Sequence, residues 1–99
     1  MVTEHIAKAV FALVEDYNGR SLLTFKRFKL ERNTDLNEDF RMDPLDACEL
    51  LERYAATFNI DPLSIRFDAY FPQDFTAAHD PLTLQLLIES AQAGRWLGK

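Results

Sequence analysis

Carboxylates crowd one stretch of this 99-residue chain, and they are the first residues that could do chemistry. Residues 35–52 hold Asp35, Glu38, Asp39, Asp43, Asp46, Glu49 and Glu52 against a single base, Arg41. Paired carboxylates can move protons or hold a cation, but either task needs companions of the right type. None stands with them. His5 and His79 lie far apart among ordinary residues and read as surface or core histidines. Cys48 has no Cys or His at ligand spacing; it falls beside an apolar stripe and reads as a small packing residue. The three glycines are punctuation rather than a phosphate-binding loop. The residues point away from an enzyme, a metal centre or a cofactor site, and toward a charged surface.

That surface is uneven. Residues 20–32 carry Arg20, Lys26, Arg27, Lys29 and Arg32 against one acid, Glu31, so pairing between the two segments is one reading of the asymmetry. A net charge of −5 repels phosphate backbones and argues against nucleic acid as a partner. No apolar run approaches the roughly 20 residues of a membrane span, and the first ten residues lack the pattern of a signal peptide. One cysteine cannot form an internal disulfide and suits a reducing cytoplasm. With 47% hydrophobic residues, the expectation is one globular domain over residues 1–99, cytoplasmic and monomeric.

Four prolines organise the elements that must position the acids. Three follow aspartate, at Asp43-Pro44, Asp61-Pro62 and Asp80-Pro81. Aspartate caps a helix by accepting from free N–H groups of the first turn, and proline suits the next position, so each pair predicts a helix start. The first helix is expected from Thr3, with Ile6, Ala9, Val10, Leu13, Val14 and Tyr17 as one stripe and Asn18-Gly19 as its stop. The second runs from residue 44 to about 58, with Ala47, Leu50, Leu51, Tyr54, Ala55 and Phe58 inward. Asp46, Glu49, Glu52 and Arg53 lie off that stripe. A short third element with an aromatic plug (Phe67, Tyr70, Phe71) follows. A last helix is expected over 81–93, with Trp96 and Leu97 folding back after Gly94. Residues 20–42 show no clear period, and Leu36, Phe40 and Met42 are the expected pins of a long loop. The fold class is all-α, a four-helix bundle.

The stretch "DFRMDPLDACELL", residues 39–51, resembles the acyl carrier protein motif D-L-G-x-D-S-L-D-x-V-E-L-V. The matching residues are Asp39, Asp43, Leu45, Asp46, Glu49 and Leu50. The order of elements, with a long loop between helices 1 and 2 and a short third helix, is also similar. More narrowly, "NTDLNEDF", "FNID", "YFP" and "AGRW" resemble an uncharacterised bacterial family of acyl-carrier-like proteins. In carrier proteins the motif serine holds 4′-phosphopantetheine. This chain has Pro44 there, which has no hydroxyl to accept a phosphoryl group. The motif glycine is Arg41. Ser21, Ser64 and Ser90 are hydroxyls outside any D-S-L context.

The resemblance implies a non-catalytic, carrier-like protein with no cofactor. Its partners would be proteins with basic docking patches, carrier-binding enzymes among them. They would meet Asp39, Asp43, Leu45, Asp46, Glu49 and Glu52, with Pro44 marking the lost prosthetic-group position. Two alternatives stay open. One is a carrier of fatty acid or polyketide metabolism modified at another site, and the other a small-ligand-binding or regulatory module.

Overall fold

The computed structural model describes residues 2–18 (side chains from Glu4 onward), 28–74 and 76–99. Expectations for residues 19–27, including the basic side chains and Ser21 there, lie outside the described residues. Among the described residues there are four helices: α1 (Val2–Glu15), α2 (Pro44–Phe58), the single-turn α3 (Phe67–Tyr70) and α4 (Leu84–Ala93). A 3-10 turn, Pro62–Ser64, precedes α3. Among the described residues there is no strand, only an isolated antiparallel bridge between Asp35 and Thr83. The all-α expectation holds at that level. No helix among the described residues is long and apolar enough to cross a membrane.

Two of the three Asp-Pro pairs start helical turns as expected. Asp43 and Asp61 each accept from the N–H two residues on, at 2.8 and 3.0 Å. Asp80-Pro81 does not. The chain there is extended, because Leu36 N–H donates to the Leu82 carbonyl at 2.9 Å. The last helix is therefore delayed to Leu84, and Thr83 caps it by accepting from Leu86 N–H at 3.1 Å. An extended partner on the long loop overrides the local start signal.

The core lies where α1, α2 and α4 face one another. Val10 and Val14 of α1, Leu50 and Tyr54 of α2, and Leu87 and Ile88 of α4 are fully buried. Each such apolar side chain contributes about 1.5–3 kcal/mol by leaving water. Tyr54 needs a partner for its hydroxyl at that depth and donates to the Leu87 carbonyl at 2.6 Å, tying α2 to α4. Ala9, expected on the α1 stripe, is exposed. The buried line instead runs through Ala7, Val10, Val14 and Tyr17, with Ile6 and Leu13 at its margin.

Two loops are fixed by specific bonds. Asn18 ends α1 and imitates a strand neighbour: its Oδ1 accepts from Phe28 N–H and its Nδ2 donates to the Phe28 carbonyl, both at 2.7 Å. Of the expected pins, Leu36 and Met42 are buried, and half-buried Phe40 meets Phe28 edge-on at 5.7 Å. At the other end, α4 stops at Gly94 in the left-handed region (φ 75°), whose N–H donates back to Ser90 and Ala91. Trp96 then folds onto Tyr54 and Tyr70, both edge-on. The Lys99 carbonyl collects donors from Trp96 Nε1 at 2.8 Å and Arg66 N–H at 3.0 Å.

Gly98 is where this tail passes closest to the body. A Cβ added there would overlap the Tyr70 hydroxyl and sit 3.0 Å from Leu86 Cδ2. Gly98→Ala should lift the tail and lower stability by about 1–3 kcal/mol, as overpacking does. Urea unfolding checks this, together with a red shift in the emission of Trp96, the sole tryptophan. An unchanged midpoint and spectrum would contradict it.

Candidate functional site

The start of α2 brings together most of the residues singled out in the sequence. Asp43 is extended (φ −61°, ψ 134°), its Oδ1 accepts from Leu45 N–H, and Pro44 takes the first helical position. A side-chain cap of this kind is worth about 1 kcal/mol. Upstream, Arg41 occupies the left-handed region at φ 54°. Glycine adopts that conformation freely, whereas a residue with a Cβ is strained by on the order of 1 kcal/mol. The backbone that a glycine would favour is thus kept by an arginine.

Along α2 the side chains divide by what holds them. Leu45 is 81% exposed and points away from the core. Asp46 is half-buried, while Glu49 and Glu52 are exposed. Glu49 is bound into the structure, because Tyr17 Oη donates to its Oε1 at 2.5 Å. Arg53 donates to the same Tyr17 oxygen at 3.1 Å and to Asp16 Oδ2 at 2.8 Å, with its guanidinium 5.5 Å from the Tyr17 ring centroid. These four residues clasp α2 to the end of α1. Desolvation and the bond to Glu49 push the Tyr17 phenol above its ordinary pKa, so it stays a proton donor. Asp39 is exposed but also engaged, accepting from Asp35 N–H at 2.9 Å. Of the six proposed contact residues, Leu45 and Glu52 are the pair least committed to holding the fold.

Cys48 departs from expectation. It is exposed, with Sγ donating to Glu52 Oε1 at 3.7 Å, rather than a packing residue. One residue per 100° of helix turn separates the edge of a stripe from its solvent side, and Cys48 falls on the outer side. Desolvation, then the Glu52 charge, pushes its thiol above the usual range, which disfavours the nucleophilic thiolate. Beside it a cleft of ≈ 200 Å³ opens between α2 and the 3-10 turn, lined by Leu51, Pro62, Ile65 and Phe67. Leu63, 91% exposed, stands on that 3-10 turn. A second cleft of ≈ 280 Å³ lies at the start of α2, among Asn37, Arg41, Met42, Pro44, Phe71 and Pro72.

Two residues to which the sequence reading gave no site role position this end. Asp35, only 8% exposed, accepts through Oδ1 from Asn37 N–H at 2.9 Å and from Leu82 N–H at 3.3 Å. Nothing in the sequence separates it from the neighbouring acids. His79 is likewise structural: its Nε2 lies 3.5 Å from Glu38 Oε1 and its Nδ1 2.9 Å from the Asp80 carbonyl. The contact at Asp80 raises its pKa most. Desolvation opposes, and the charge of Asp35 and the bond to Glu38 add to the rise. His5 is exposed on α1. Among the described residues, no group of three or more His, Cys, Asp or Glu is placed to hold a metal ion.

Fold and site together define a small helical protein whose second helix offers an apolar side chain amid carboxylates. The chain belongs to the family described as Protein of unknown function (DUF1493), whose profile matches residues 3–99. No curated protein and no solved structure matches it.

The His79–Glu38 pair joins the long loop to the segment before α4, so its protonation feeds into stability. The folded pKa lies above the ordinary 6.5. The stabilisation is therefore fully present below about pH 6.5 and is lost as pH rises through the higher folded value. Urea midpoints between about pH 5.5 and 8.5 should fall on the alkaline side in the wild type. They should stay flatter over that window in His79→Gln, and identical profiles would refute the assignment.

Proposed function

We propose that this chain is a carrier-like interaction module: a non-catalytic relative in form of acyl carrier proteins that bears no phosphopantetheine and acts by docking. The single observation behind the reading is the start of α2. A capping Asp43 and an outward Leu45 flank Pro44, at the position where a carrier holds its serine. Proline keeps the helix start and removes the alcohol, so the geometry persists without an atom to phosphorylate. Arg41 keeps a positive φ at the place of the motif glycine, which also supports the likeness of the loop.

In this reading the partner is a protein with a basic patch, drawn toward Asp46, Glu49 and Glu52 and anchored by Leu45. Exposed ion pairs are worth only about 0–1 kcal/mol each, so charge orients the encounter and the apolar contact holds it. The commitments seen at the site sharpen which acids serve. Asp43 and Glu49 have structural duties, and Glu52 is the cleaner docking carboxylate. Carrier-binding enzymes are partners of this kind.

Intact-mass measurement after incubation with coenzyme A and a phosphopantetheinyl transferase tests the reading. The wild type should gain no phosphopantetheine, whereas Pro44→Ser should gain it. An adduct on the wild type would overturn the proposal, and none on the variant would remove the likeness to carriers. Against purified carrier-binding enzymes, Leu45→Ala should weaken binding about tenfold. Glu52→Lys should slow association in a way that salt suppresses.

A further inference from the structure

Arg41 raises a question that docking through α2 does not answer. It is a strained residue with an exposed side chain, and its guanidinium has no hydrogen bond or ion pair with any described residue. It lines two adjoining clefts, the ≈ 280 Å³ one at the start of α2 and a more polar one of ≈ 470 Å³ beneath Phe28 and Lys29. The smaller cleft has an apolar wall made by Met42, Pro44, Phe71 and Pro72. Its other polar side chains already have partners. Asn37 Nδ2 donates to the Tyr70 carbonyl at 2.7 Å, and Glu38 faces His79. The nearby carboxylates keep their negative charge but do not pair with Arg41: Asp39 accepts from the Asp35 N–H and Asp43 from the Leu45 N–H. What remains is one unpaired cation at the rim of an apolar recess.

We propose that this recess binds a small amphipathic anion, with Arg41 holding a carboxylate or phosphate head and Met42, Phe71 and Pro72 covering a short apolar body. The guanidinium fork suits either head, since both present paired oxygens that accept its parallel N–H groups. The recess lies at the small end of the range for ligand sites, which limits the body to a few carbons. Arg41 lines both clefts, where a glycine would leave no charge. The inference does not rest on docking, because the ligand is free and no partner protein takes part.

Backbone amide NMR on the full chain tests it, with hexanoate and hexyl phosphate as amphipathic probes, and hexanol and inorganic phosphate as body-only and head-only controls. Expected are saturable millimolar shifts at Asn37, Met42 and Phe71 with one or both amphiphiles, and binding at least tenfold weaker with each control. Which amphiphile binds tighter identifies the head group. Arg41→Asn keeps a residue that tolerates the left-handed region and removes the charge. It should weaken amphiphile binding at least tenfold while its urea midpoint holds, and Arg41→Lys, which keeps the charge without the fork, should bind between wild type and Arg41→Asn. Should Arg41→Asn fold poorly, Arg41→Gly serves in its place. Hexanol binding as tightly as hexanoate, unaltered binding by Arg41→Asn, or shifts that never saturate would each overturn the proposal.

Discussion

The carboxylate and backbone of Asp35 sit at the centre of the contacts that hold two irregular segments in register. The long loop between α1 and α2 crosses the extended chain ahead of α4, and both sequences are irregular. Asp35 Oδ1 accepts from both Asn37 and Leu82, and its carbonyl accepts from Asp39 and Phe40 at 2.9 and 3.0 Å. Next to it, Leu36 is fully buried and exchanges backbone bonds with Leu82 and Met42, each at 2.9 Å. A buried carboxylate is tolerated only where donors surround it, and here the donors are backbone groups that would otherwise lack partners. Residues 35–42 are therefore held in place by these bonds at both ends. That geometry sets where Arg41 turns and Asp43 meets α2.

From this node the second helix is held at three places along its length. Asp43 fixes its start, the Tyr17–Glu49–Arg53–Asp16 clasp holds its solvent side to α1, and Tyr54 ties its core side to α4. A beam fixed in this way can present Leu45 to water without bending toward the core. The exposed apolar side chain thus stands in the first turn of a helix whose start is capped.

The parts legible in the sequence are those governed by local signals. The α2 stripe, its Asp-Pro start, the glycine stop of α4 and the aromatic plug of Tyr70 and Phe71 all follow from period and capping. Cys48 is misread because it lies just past the edge of the α2 stripe, whereas the other misreadings trace to a distant partner. Asp80-Pro81 carries the same signal as Asp43-Pro44, yet pairing of Leu82 with Leu36 keeps it extended. Ala9 fits a helical stripe as well as Ala7 does, and only the placement of α2 and α4 selects between them. Glu49 looks like any surface acid until Tyr17 reaches it across 32 residues. No single-sequence pattern marks such pairs, because each half is ordinary in isolation.

Pro44 and Arg41, three residues apart, act on stability with opposite signs. Pro44 restricts the unfolded chain at a position whose native φ suits it, which favours folding by about 0.4–1 kcal/mol. Arg41 bears a strain of similar size by holding a Cβ at φ 54°. For stability alone a glycine at position 41 would serve better than the arginine. Among the described residues the Arg41 side chain has no hydrogen bond or ion pair, and it lines the two clefts at the head of α2. The strained backbone position and the exposed cation fall at the same corner of the molecule.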